Sequence, residues 1–110
     1  MSQQLCNLIK EYSGKLQKIL DKLDTLRDRI AGTGLNDPHM VILENRWQAE
    51  ISFLSDFMVG VNDLIRHVSQ LLDHGPEDSL GSEYIELRVR LRELEAIRHR
   101  AKSMEPGGQL

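Results

Sequence analysis

Eight apolar side chains, Leu5, Ile9, Tyr12, Leu16, Ile19, Leu23, Leu26 and Ile30, follow one another at alternating intervals of four and three residues. This is an unbroken heptad row, with Ile9, Leu16, Leu23 and Ile30 at a and Leu5, Tyr12, Ile19 and Leu26 at d. A straight helix drifts about 20° per heptad against such a row, so holding it in contact favours a left-handed supercoil with a partner helix. Gly14 falls at an outward f position, where glycine weakens the helix without disturbing packing. Ser2 suits the N-cap, and Gly32-Thr33-Gly34 ends the pattern. The spacing predicts a helix over about 3–31.

A second helix, about 38–73, opens at Asn36-Asp37-Pro38, with Asp37 at the N-cap and Pro38 at the first helical position, where its missing N–H costs nothing. Met40, Trp47, Ile51, Leu54, Met58, Val61, Ile65, Val68 and Leu72 continue a heptad row that Glu44 interrupts once. Beside it run Leu43, Phe57, Leu64 and Leu71, with Phe53 further round. An apolar stripe this wide predicts a helix that touches two partners. Asp73-His74-Gly75-Pro76 stops it. Ser82 can cap a third helix, about 83–104, with Tyr84, Leu87, Leu91, Leu94, Ile97 and Ala101 inward. Residues 105–110 read as a frayed tail.

These elements predict an all-α fold: a single domain over 1–110, an antiparallel three-helix bundle with a long coiled-coil-like hairpin. In that register Ile30 lies near Met40 and Leu5 near Ile65, and the third helix reaches back only to about residue 50. Residues 38–50 are then covered by the first helix alone, and apolar surface left uncovered in one chain marks a contact site. Ile42, Leu43, Trp47 and Phe53 are therefore the candidate partner-binding residues. Glu44 is expected to pair with Lys22 or Arg29, and Arg98, in the third helix's own row, to lay its stem on apolar surface.

Chemistry is harder to find. There is no Gly-rich phosphate loop, no G-x-S-x-G elbow and no ordered Ser/His/Asp or Cys/His set, so the expectation is a non-enzymatic protein without cofactor or small-molecule substrate. Asp63, His67 and His74 share a helix face but lack further ligands at a defined spacing, so no metal is expected. The single cysteine, Cys6, excludes an internal disulfide and reads as a packed thiol. The start of the chain has no signal-peptide pattern and no stretch is apolar enough to span a bilayer, which predicts a cytoplasmic location and leaves signal-less export or a viral origin open.

A net charge of −3 argues against nucleic acid or an anionic membrane as the main partner. The alternative function class rests on the third helix, where Arg88, Arg92, His99 and Lys102 share one face and could track phosphates. Glu83, Glu86, Glu93, Glu95 and Glu105 stand among its cations, and Glu86–Arg90 and Glu95–His99 have ion-pair spacing. The leading expectation is a helical assembly, adaptor or chaperone-like subunit that binds a protein partner or itself, as a homo-oligomer.

Two resemblances suggest a second alternative, a small secretion-associated hairpin protein. A helical hairpin of this size with a tryptophan near its middle resembles the small proteins exported by type VII secretion, whose motif is Trp-x-Gly in the turn; here Trp47-Gln48-Ala49 lacks the glycine and lies within a helix. A hairpin turning at Asn36-Asp37-Pro38 is similar to type III secretion needle and rod subunits, although this chain adds a third helix. Neither resemblance assigns a role to any residue.

Overall fold

The computed structural model describes residues 2–34, 36–74 and 82–104. It contains α1 (Ser2–Ala31), α2 (His39–His74) and α3 (Ser82–Lys102), all packed against one another. The protein is an all-α three-helix bundle, drawn out to 62 × 23 × 16 Å. The predicted frayed tail, 105–110, lies outside the described residues.

Both hairpin ends close through side chains the sequence supplies locally. The Thr33 hydroxyl donates to the Arg29 carbonyl at 2.7 Å, and the Gly32 amide donates to the Asp28 carbonyl at 3.1 Å, taking up two of the last carbonyls of α1. At the start of α2, Asp37 Oδ1 accepts the His39 amide at 2.9 Å and also meets His39 Nδ1 at 2.9 Å. Asp37 is thus the N-cap, and these hydrogen bonds, backbone first, hold its carboxyl below the usual value of 3.8.

The hairpin register follows the heptad rows. The Tyr12 ring on α1 lies 5.3 Å from that of Phe57 on α2, and a Cβ built on Gly60 would stand 3.5 Å from Tyr12. Ile9, Leu16, Ile19, Leu23 and Leu26 are buried along α1, and Ile51, Leu54, Met58, Val61, Ile65, Val68 and Leu72 along α2.

The third helix departs from expectation. It lies chiefly against α1 rather than along the wide stripe of α2. The reason is a second row on α1, one position past d in the heptad, that the a/d reading passed over: Cys6 and Leu20 are both fully buried. Asp24, on the same side of α1, pairs with Arg100 of α3. Leu87, Leu91, Leu94 and Ala101 supply the buried face of α3, as its pattern predicted, and Arg98 reaches α2 at Asn62 (3.4 Å).

Length limits what α3 can cover. Its 21 residues span about 32 Å, against about 54 Å for the 36 residues of α2. The continuous buried core accordingly runs only as far up as Leu23 and Ile51. Leu26, Met40 and Leu43 are buried at the hairpin tip outside that core. Glu44, on the side where α3 would have to continue, is exposed and pairs with neither Lys22 nor Arg29 among the described residues. On α3, Arg90 pairs with Glu93 at 3.3 Å and not with Glu86.

Candidate functional site

With α3 seated on one side of α1, the opposite side of the hairpin is left open. A groove runs there between α1 and α2. Its lower part is walled by Lys15, Lys18 and Lys22 on α1 and by Phe53 and Phe57 on α2. Its middle shares Lys22 and Glu50 with that part and adds Leu26, Arg29, Arg46 and Ala49. Its upper part shares Arg29 and Arg46 with the middle and ends at Thr33, His39, Ile42 and Leu43. The shared residues place these three hollows in one row along the hairpin. From Phe57 to His39 it extends about 27 Å along α2 at ~1.5 Å per residue.

Helical periodicity explains the row that borders it. Ile42 and Phe53 are eleven positions apart, close to three whole turns, so both emerge on the same side of α2. Ile42 is 52% exposed and Phe53 57%. The Phe53 ring stacks on Phe57 at 6.4 Å, and Phe57 in turn rests on Tyr12, so the exposed ring is held from beneath. Leu71 continues the row further along α2 and is also exposed.

The four residues singled out from sequence therefore separate. Ile42, Leu43 and Phe53 belong to the groove, with Leu43 as floor rather than surface at 9% exposure. Trp47 does not line it; it is half-buried and packs against the main core. The basic wall is what sequence reasoning missed. Lys15, Lys18, Lys22 and Arg29 recur at intervals of three, four and seven along α1, which places them on one helix face. That periodicity was available, but it acquires meaning only once α2 supplies an apolar floor beside it.

Charge in the groove is unlike that of the whole chain. Lys15, Lys18, Lys22, Arg29 and Arg46 face two carboxylates, Asp21 and Glu50, for a local balance of +3. Lys15 pairs with Glu11 at 3.0 Å, while Lys18, Lys22, Arg29 and Arg46 have no ion pair among the described residues.

Arg88, Arg92, His99 and Lys102 are all exposed on the outer face of α3. Arg88 donates to the Tyr84 hydroxyl at 3.0 Å and stands 5.7 Å from the centre of that ring. Glu95, half-buried, stands beside this row. Asp63, of the Asp63/His67/His74 group, is paired with Arg66. No three His, Cys, Asp or Glu side chains converge to hold a metal among the described residues. No described helix is long and apolar enough to cross a membrane.

No protein-family model, curated protein or solved structure matches this chain.

Proposed function

We propose that the protein is a non-enzymatic helical interaction module, an assembly, adaptor or chaperone-like subunit that works by helix-to-helix contact through the α1–α2 groove. One observation carries this reading. Ile42 and Phe53 stand exposed beside a row of hollows between α1 and α2, which Arg29 walls opposite Ile42 and Lys15, Lys18 and Lys22 wall opposite Phe53. An aromatic ring left 57% exposed beside half-open apolar hollows between two helices fits a third helix laid along them.

Site-specific photo-crosslinking tests the proposal. A photoreactive phenylalanine analogue at position 53 or 42 should give discrete crosslinked polypeptides in cells, and the same analogue at Val59, exposed elsewhere on α2, should not. Equal yields from all three positions, or none from the groove positions, would remove the proposal.

The alternative, a nucleic-acid-binding regulator acting through Arg88, Arg92, His99 and Lys102, has weaker support. Its basic row occupies a single helix, carries Glu95 beside it and includes an Arg88 already engaged with Tyr84. Under that alternative, oligonucleotide affinity would fall steeply with salt and would be lost on replacing Arg88 and Arg92 with glutamate. A secretion-associated hairpin role remains a further alternative; Trp47 lies inside α2 and not in a turn.

A further inference from the structure

We infer that the occupant of the α1–α2 groove is an acidic amphipathic helix of about five turns, supplied by another protein. The inference rests on the docking face proposed above and adds the chemistry of the partner. The row of hollows from Phe57 to His39 runs about 27 Å along α2, the rise of an ~18-residue helix. Its floor is aliphatic where it is deepest, at Ile19, Leu26 and Leu43, and Phe53 and Ile42 stand at its rim. That relief accepts apolar side chains spaced i, i+3/i+4, i+7 along one face of a helix.

Charge then selects among helices. Lys18, Lys22, Arg29 and Arg46 carry no carboxylate partner of their own among the described residues, so each can meet an acid on the flank of an incoming helix. A basic helix would bring like charge against them as water leaves the groove. A second copy docking by the same surface would set two channels of local balance +3 face to face, which argues against self-association here. A lipid surface does not fit a concave channel. An oligonucleotide would find one exposed ring, Phe53, and two carboxylates, Asp21 and Glu50, in its path.

The test uses the full chain and two 18-residue synthetic peptides with the same leucine face, one with glutamate on both flanks and one with lysine. Fluorescence anisotropy should show the acidic peptide binding at least tenfold more tightly than its basic twin. The Lys18→Glu/Lys22→Glu variant should erase or reverse that preference. Phe53→Asp should weaken both peptides at least tenfold while leaving the far-UV circular dichroism and melting temperature near those of the parent, because the ring is exposed.

Equal affinity for the twins, both lost in Phe53→Asp, would overturn the acidic partner and leave the docking face standing. Binding of neither peptide at submillimolar concentration overturns the inference, and the crosslinking at positions 42 and 53 then judges the docking face by itself. A concentration-dependent dimer abolished by Phe53→Asp would assign the groove to a second copy. Tight binding of a 20-mer of thymidylate or of phosphatidylserine vesicles, lost in the Lys18→Glu/Lys22→Glu variant, would assign it to that ligand; each of these results also overturns the inference.

Discussion

Asp24 of α1 is shared between two arginines: one carboxylate oxygen takes Arg27 at 2.9 Å, a turn away on the same helix, and the other takes Arg100 near the end of α3. The second contact joins residues 76 positions apart. It marks how far up the hairpin α3 reaches, close to where three helices give way to two.

The pair is partly exposed, so its net stabilisation should be modest. A double-mutant cycle with Asp24→Asn and Arg100→Gln should return a coupling of about 0.2–1 kcal/mol in urea denaturation at low salt. The coupling should shrink as sodium chloride is raised towards molar concentration, because exposed charges are screened. A coupling unchanged by salt would contradict this geometry.

Leu20 should behave as a core residue although it lies outside the a/d row. Leu20→Ala should cost about 2–5 kcal/mol in denaturant unfolding, as should Leu16→Ala, since both side chains are fully buried. A cost under about 1 kcal/mol at Leu20 would mean that α3 does not rest on this side of α1.

Gly14 offers the opposite sign. It is exposed in mid-helix, and a Cβ built there meets nothing within 4 Å. Gly14→Ala should raise unfolding free energy by about 0.5–1 kcal/mol through helix propensity and a less flexible unfolded chain. Measured midpoints that fall or stay level would place Gly14 against something in solution.

Asp37 sets an acid-sensitive component of stability. Its carboxyl is held below the usual 3.8 by the hydrogen bonds to His39, so the folded state prefers the ionised form. That contribution is complete above the ordinary carboxylate value and disappears as pH falls through the lowered one. Asp37→Asn keeps a capping oxygen without the charge. The parent should therefore melt above this variant at neutral pH, and the difference should close only in strong acid. A gap that persists undiminished at the lowest pH reached would rule out ionisation as its source.

Helix number, extent and hairpin register were legible because they depend on local spacing and on caps. Leu5 to Ile30 specify one face of α1, Asp37 and Pro38 start α2, and the inward row of α3 from Leu87 to Ala101 follows from its spacing. The candidate site was legible in pieces. Ile42 and Phe53 could be named as apolar residues in excess of one seam, but the basic row of Lys15, Lys18 and Lys22 had no recognisable role. Trp47, singled out as a tryptophan in the stretch that α1 alone was expected to cover, is half-buried and packs against the core.

What the sequence by itself determined is three amphipathic helices and the antiparallel pairing of the first two, since periodicity and turn chemistry act between near neighbours. Only the tertiary structure decided which flank of the hairpin α3 would occupy. Two apolar flanks competed for it: Cys6 and Leu20 on α1, and Phe53, Phe57 and Leu71 on α2. α3 covers Cys6 and Leu20 and meets Asp24 on α1, and the larger aromatic flank is left facing water, an outcome of packing between distant segments that no local pattern records.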